Sequence, residues 1–455
     1  MKKRILLIGY NYHPEPTGIG KYSGEMMNWF AHNGYDCTVV TSYPYYPYWQ
    51  VQEPYHKKRF WFSREKYPVT AGPGKLTVYR CPQYVPSQPS GLKRILLDIS
   101  FLISATFALV WLLPRNKFDF IITVAPSFQI GFLGVLYKKL RKATLVYHVQ
   151  DMQIEAARDL KMIKSPKLIN FLFRMERYIF KEAEVVSSIS EGMVGRIREK
   201  AGKKVVLFPN WTDTKVFCPM SDHGAAMRRE LGYSDADKIV LYSGSIGEKQ
   251  GLDAILHAAN ALRDLPNVKF IICGSGPYKA VLQKLAAKLK VGNVQFLPIQ
   301  PFEKFNSFLN MADLHLIIQK AGASDLVMPS KLTTMLSVGG LVLITANEGT
   351  GLYKVVKEHK MGILVPAENQ AALNEGIKNA VQGDYTHLSH NARKYAEDYL
   401  AINKTMQTFA QAIGLSVHQA EGSRTSALKT EGVVPRNGSA RVSQPVEPIA
   451  VDKLP

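Results

Sequence analysis

The residues best suited to chemistry lie in three glycine-rich turns. The first, Thr17-Gly18-Ile19-Gly20-Lys21-Tyr22-Ser23-Gly24, follows the apolar run Arg4–Gly9 and opens a helical pattern over about Ile19–Asn33. Glycines between a strand and a helix let backbone approach a ligand closely, and the helix start offers free N–H groups to an anion. The spacing is G-x-G-x-x-x-G rather than the dinucleotide fingerprint, and no acid ends the second strand, CTVVTSYP, so a dehydrogenase is disfavoured. The second turn, Gly244-Ser245-Ile246-Gly247-Glu248-Lys249-Gln250-Gly251, follows IVLYS and carries a lysine that can hold a diphosphate. Gly274-Ser275-Gly276-Pro277 repeats the theme one strand later. Three such turns at strand ends point to a ligand in a cleft between two domains. His148 ends the strand-like run TLVYH, with Asp151 three residues on. A lone histidine there is more often structural than catalytic, and Asp151 can equally cap the next helix.

Around these turns the chain alternates short apolar runs with longer helical patterns. Strands are predicted at Arg4–Gly9, Cys37–Ser42, Phe118–Val124, Ala143–Tyr147, Val185–Ile189 and Lys204–Phe208. The rhythm restarts with Ile239–Ser243, Val268–Cys273, Val294–Leu297, Leu314–Ile317, Leu341–Thr345 and Ile363–Val365. Continuous apolar strands separated by helices make parallel sheets covered on both faces. The pattern therefore predicts an α/β chain of two doubly wound, Rossmann-like domains, 1–205 and 206–384. A long helical stretch, 385–413, follows without a strand, and a tail, 416–455, without persistent periodicity is expected to be disordered.

At 455 residues, with 57 Lys+Arg against 37 Asp+Glu, the chain is too long for a single small module and carries a net charge of +20. Residues 1–205 hold 31 basic and 15 acidic side chains, so nearly all of the excess lies in the first half. Such a field attracts phosphates, whether of nucleic acid, lipid headgroups or a substrate. Cys37, Cys81, Cys218 and Cys273 are scattered without a CxxC pair, which suggests neither a zinc site nor a disulfide framework. The only D-x-D string, Asp235-Ala236-Asp237, sits in the polar segment before a strand, and no metal site is expected there. The apolar run Ile5–Ile8 is too short for a signal-peptide core, and a cytoplasmic protein is expected.

Two segments suggest a surface partner. ISFLISATFALVWLL, residues 99–113, is 15 residues without a charge, short of the ~20 a membrane span requires. It leads directly into FDFIITV, as a sheet-covering helix would, so a core helix and an interfacial helix both remain open. His56–Lys66, HKKRFWFSREK, interleaves five cations with three aromatics, as would a surface touching anionic headgroups or a solvated loop with its rings folded inward. Together the two segments favour peripheral contact with an anionic membrane surface.

Several motifs in order, TGIGKY, YHVQDM, PNWTD at 209–213, YSGSIGEKQGLD, GSGP, FLPIQPFEKF and MPSKLTTMLSVGG, resemble the retaining glycosyltransferases of family 4, which have the GT-B fold. The similarity is strongest to bacterial exopolysaccharide enzymes of the colanic-acid type and covers about residues 3–412. It implies two Rossmann-like domains facing across a cleft, an acceptor domain followed by a nucleotide-sugar domain, and a last helix crossing back to the first domain. Catalytic roles are implied for His148, which would face the donor sugar, and Asp151. Donor contacts are implied at Gly18, Gly20, Gly244, Ser245, Lys249, Gln250, Gly274, Gly276, Pro298, Asp325, Lys331 and Thr334.

This sequence departs from the family pattern in places. Ser245 and Gln250 stand where many relatives have Arg and Lys. The resemblance places the family's two glutamates at Leu326 and Thr334, with Asp325 the nearest acid and Thr334 without a carboxylate. No cofactor or metal is implied beyond the nucleotide-sugar substrate, GDP- or UDP-linked, such as GDP-fucose. The acceptor would be a lipid-linked oligosaccharide at the inner face of the cytoplasmic membrane. A GT-B sugar-nucleotide epimerase is the first alternative. A nucleic-acid-binding or scaffold protein is the second, disfavoured because no recognition helix or base-stacking platform is evident.

Overall fold

The computed structural model describes residues 2–69, 72–159, 163, 165–320, 329–416 and 451–453. The chain divides into two compact units. One comprises Met1–Ser187, Lys200–Val206 and Met406–Pro455, the other Ser188–Glu199 and Leu207–Thr405.

The first unit is built on β1 (Arg4–Ile8), α1 (Gly18–His32), β2 (Asp36–Ser42), β3 (Ser63–Tyr67), β4 (Lys75–Cys81), α2 (Gly91–Leu112), β5 (Phe120–Ala125), α3 (Ile130–Arg141), β6 (Thr144–Val149), α4 (Gln153–Asp159), α5 (Pro166–Glu182), β7 (Val185–Ser188), α6 (Glu191–Ala201) and β8 (Val205–Leu207). Strands β4, β2, β1, β5 and β6 run parallel in that spatial order, with β7 and β8 beyond β6. β1 and β5 are buried along almost their whole length, as expected of strands with helices on both faces.

Right-handed crossovers decide which helices share a face. The steps β4 to β5, β5 to β6 and β6 to β7 advance in one direction across the sheet and place α2, α3 and α5 on one side. The step β1 to β2 runs the other way and places α1 opposite. In keeping with this, α2 packs on α3, and α3 on α5.

One feature of this unit differs from the sequence expectation. The antiparallel pair β3–β4 extends the sheet where no strand was predicted. Its polar SREKY strand hides Glu65, which forms a buried ion pair with Arg80 at 3.1 Å. That long-range pairing, not an apolar run, fixes the hairpin. The run His56–Lys66 thus ends inside β3, leaving Phe60 and Trp61 each 69% exposed, with the Arg59 guanidinium 4.4 Å above the Phe60 ring. Helix α2 is neither wholly buried nor wholly exposed: Leu97, Phe101, Ala105, Leu109 and Leu112 line the core while its other face is open.

The second unit comprises α7 (Ser221–Glu230), β9 (Lys238–Ser243), α8 (Asp253–Ala261), β10 (Val268–Cys273), α9 (Lys279–Leu289), β11 (Val294–Leu297), α10 (Phe302–Asn310), β12 (Leu314–Ile317), α11 (Ser330–Ser337), β13 (Val342–Thr345), α12 (Gly351–His359), β14 (Ile363–Val365), α13 (Gln370–Gln382) and α14 (Thr386–Tyr395). Its parallel sheet has the order β11-β10-β9-β12-β13-β14. Alternate residues of one strand feed separate cores: Val240 and Tyr242 pack on one side, Ile239 and Leu241 on the other. The chain builds outward from β9 to β11, then returns to lay β12 on the other side of β9. A crevice forms at such a reversal, outside the carboxyl ends of the two central strands.

The single helical stretch predicted for 385–413 is broken. After α14 the backbone passes through a π-helical turn, Ala396–Leu400, and an extended Ala401 before α15 (Ile402–Ala412). Thr212 causes the interruption: its N–H donates to Leu400 O at 2.8 Å and its carbonyl accepts from Ile402 N at 3.1 Å. From Met406 onward α15 is part of the first unit. Most of the predicted tail lies outside the described residues. Within it β15 (Val451–Lys453) pairs antiparallel with β3.

Candidate active site

In the second unit the turns after β9 and β10 lie against one another. Gly244 has φ +157°, Gly274 +152° and Gly276 +155°. A Cβ on Gly274 would strike the Gly244 carbonyl oxygen, and one on Gly276 the Ile246 carbonyl oxygen. Glycine is therefore required at both, and their backbones form a surface with no side chains to screen a ligand. Tyr242 braces the first turn from below by donating its hydroxyl to Ser245 O at 2.7 Å. Ser245 itself is exposed. The Pro298 carbonyl, just beyond β11, accepts from the Cys273 thiol at 3.1 Å and so adjoins Gly274.

Lys331, in the first turn of α11, reaches over the same surface. Its Nζ lies 3.8 Å from the centroid of the Tyr242 ring, and a Cβ on Gly244 would lie 3.2 Å from Lys331 Cδ and 3.4 Å from Nζ. Burial pulls its pKa down to about 7. Among the described residues no carboxylate is paired with it. A lysine held by an aromatic face, beside bare glycine backbone and a helix start, is suited to an anion. Thr334, by contrast, is buried and donates its hydroxyl to Lys331 O at 3.0 Å, so its side chain serves the helix. Gln250 turns its Oε1 inward without a hydrogen-bond partner among the described residues, next to Gly247. Lys249 belongs to the short 3-10 turn Glu248–Gln250, with its side chain outside the described part. Asp325 lies outside the described residues.

The first unit gathers a second group at the carboxyl ends of β1, β5 and β6. His148, at the end of β6, is 1% exposed. Its Nδ1 lies 2.9 Å from Ser187 Oγ, and its ring centroid 6.4 Å from that of Phe409 on α15. Burial pushes its pKa down to about 3, so the imidazole is neutral at physiological pH. Asp151, half-buried just beyond β6, raises the Tyr10 phenol pKa together with Asp98 and Glu15, after the larger effect of burial itself.

Asp98 and Glu15 were not singled out from sequence. Asp98 comes from α2, accepts from Gln153 Nε2 at 3.0 Å and is pushed up to about 6 by burial. Glu15 precedes the first glycine turn and accepts from Tyr45 N at 3.1 Å, Tyr46 N at 3.0 Å and Asn11 Nδ2 at 2.9 Å. Burial raises its pKa to about 7. Gly20 is glycine because a Cβ there would collide with the Glu15 side chain, while a Cβ on Gly18 would lie 3.6 Å from Tyr46. The first glycine turn thus wraps a buried carboxyl group. A carboxylate among prolines three residues before Gly18 was its only sequence signal.

The D-x-D string is a turn: Asp237 accepts from Ser234 N and Oγ, both at 2.8 Å. Among the described residues no cluster of three or more His, Cys, Asp or Glu could hold a metal ion.

Comparison with known proteins gives this arrangement a family. Residues 17–211 match the glycosyl transferase 4-like domain, and residues 225–399 match glycosyl transferases group 1. The chain is 40% identical over 419 residues to the putative colanic acid biosynthesis glycosyl transferase WcaI of Escherichia coli K12, covering 90% of this chain and 99% of that one. It is 27% identical over 206 residues, 44% of this chain and 54% of the relative, to a GDP-mannose-dependent α-(1-6)-phosphatidylinositol monomannoside mannosyltransferase of Mycolicibacterium smegmatis. Among solved structures, Anabaena HepE in complex with UDP and glucose superposes with a TM-score of 0.63 at 14% identity, over 90% of this chain and 99% of that one. With both of its domains matched and its two parallel-sheet units in place, the chain belongs to the GT-B glycosyltransferases that join a 4-like domain to a group 1 domain.

Proposed function

We propose that this glycosyltransferase takes a sugar from a GDP- or UDP-linked donor, such as GDP-fucose, and adds it with retention to a lipid-linked oligosaccharide. The product would be a cell-surface polysaccharide precursor made at the inner face of the cytoplasmic membrane. The observation that carries the donor half is Lys331 lying over Tyr242 and Gly244, beside the glycine backbones of 274 and 276. The WcaI relative supports the polysaccharide assignment. The mannosyltransferase relative is GDP-mannose-dependent by name and names a lipid acceptor, and the HepE complex holds UDP and glucose, which supports a nucleotide-sugar donor.

The chemistry follows from charge. Breaking the bond between the anomeric carbon and the diphosphate oxygen leaves positive character on the sugar and negative charge on the leaving group. Lys331 and the backbone N–H groups of the glycine turns would meet that negative charge in a water-poor site. The acceptor hydroxyl oxygen then bonds the anomeric carbon on the face the diphosphate is leaving. Its proton passes to the departing phosphate oxygen, so the balance needs no protein nucleophile. In this reading His148 remains neutral, donates or accepts a hydrogen bond toward the sugar and is not charged during the cycle. Positive charge for the leaving group comes from the chain itself, without a metal ion.

The test is a panel of GDP- and UDP-sugars measured for binding by calorimetry and for transfer to lipid-linked acceptor extracts. Micromolar binding of one donor with transfer to a lipid-soluble product is expected. Binding without transfer would leave an epimerase, and no binding across the panel would overturn the assignment.

A further inference from the structure

We infer that the outer face formed by α2, α3 and α5 is a docking surface for an anionic lipid bilayer. Three helices on one side of the first sheet contact one another in the order α2, α3, α5. On α2 the residues opposite the core are apolar and open: Leu92 is 70% exposed, Ile103 54%, Phe107 66% and Val110 56%. Their spacing is helical, so they form one stripe rather than scattered contacts. On the neighbouring helices Leu140 of α3 and Phe171 of α5 are likewise apolar and more than half exposed. Soluble monomers seldom leave so long an apolar strip uncovered unless a partner takes it.

The charges around the strip identify the partner. Arg174, Arg177 and Lys181 are exposed along α5, Lys139 on α3, and Lys93 and Arg94 at the start of α2. No exposed carboxylate interrupts them on any of the three helices. Asp98 and Glu176 are buried, and Glu182 is half-buried and within 3.7 Å of Lys139. Apolar rows edged by cations of a single sign match a headgroup layer carrying phosphates above hydrocarbon. A second copy of the chain would have to bring the same cations against themselves, which costs energy. Spanning is ruled out for α2 by its inner face, which packs on β2 and β4. The helix therefore lies in the interface, with its long cationic neighbours reaching the phosphate level.

The inference gives the lipid-linked acceptor reading a physical location, and rests on that reading for its purpose only; its test uses no sugar transfer. The full-length protein is floated with phosphatidylcholine vesicles and with vesicles containing phosphatidylglycerol. The wild type is expected to partition onto the anionic vesicles only. Ile103→Asp with Phe107→Asp should weaken that partition about tenfold or more. Arg174→Glu with Arg177→Glu should weaken it similarly, since each cation contributes roughly a fivefold gain at an anionic surface. All four side chains are exposed, so melting temperature and nucleotide-sugar affinity should match wild type. Equal flotation of wild type and variants, or wild-type partition independent of lipid charge, would overturn the inference. So would a wild-type dimer in lipid-free buffer that Ile103→Asp with Phe107→Asp dissociates.

Discussion

Lys331 and His148 have pKa values shifted in the direction that disfavours their charged forms, with different consequences. Burial lowers the Lys331 pKa to about 7, so the free enzyme loses this cation as pH rises through that value. Donor affinity is therefore expected to be highest below pH 7 and to fall between pH 7 and 9. Lys331→Ala should weaken donor binding by roughly ten- to a hundredfold at pH 6.5, the worth of a hydrogen bond to a charged group, and flatten the profile. Calorimetry across that range checks both points; an unchanged slope in the variant would assign the titration elsewhere. His148, at about 3, has no charge to lose in this range. His148→Ala is expected to leave nucleotide affinity within about twofold while lowering kcat by a hundredfold or more, a loss of some 3 kcal/mol in transition-state binding. Single-turnover kinetics with saturating donor measures it.

At the scale of elements, the donor surface depends on two turns packed at backbone distance. Gly274 combines φ +152° with a direct approach to the Gly244 carbonyl, so Gly274→Ala must displace one turn or the other. Such a residue costs about 1–3 kcal/mol in strain alone. The expected result is a lower melting temperature together with loss of donor binding, read by thermal unfolding with and without nucleotide. Gly202→Ala provides the control: it also has a positive φ, +61°, but nothing lies within 4 Å of its Cβ position, so it should cost less and leave donor binding intact. Helix α2 shows the converse design. Its inner face is specified by packing, and its outer face is free to carry apolar residues that contribute nothing to the fold.

At the scale of the whole molecule, the chain weaves between its two compact units. The first contains Met1–Ser187 and recovers residues from Met406 on, so α15 begins in one unit and ends in the other. Phe409 on that returning segment sits near His148, which ties the carboxy-terminal helix to the site. By contrast, Val451–Lys453 adds only a three-residue edge strand against β3. A few edge hydrogen bonds, each worth about 1 kcal/mol, are largely offset by the entropy of ordering the segment. Removing residues 417–455 is therefore expected to leave donor affinity unchanged and shift the melting temperature by no more than about 2 °C. A truncation ending at residue 405 should instead lose transfer, because Phe409 and its buried neighbours Met406 and Ala410 go with it.

Much of this was determined locally and could be read from the residues. Continuous apolar strands such as IVLYS are buried on both faces, so they state their own surroundings, and the glycine turns after them are required by backbone geometry alone. What stayed hidden depended on residues distant in the chain. β3 is polar and forms because Arg80 pairs with Glu65; the helical run 385–413 breaks because Thr212 inserts its backbone at Ala401. Glu15 and Asp98 were not singled out because their burial comes from packing against Tyr45, Tyr46 and Gln153, residues distant in the chain. The sequence by itself determined the parallel-sheet repeat and the glycine turns, since these follow from periodicity and from which residues tolerate positive φ, and its ordered motifs carried the resemblance to the family. Only the tertiary structure decided that Lys331 covers Gly244, that His148 is neutral and that the apolar run of α2 faces two ways. Burial and proximity are properties of the packed chain, and no local pattern specifies them.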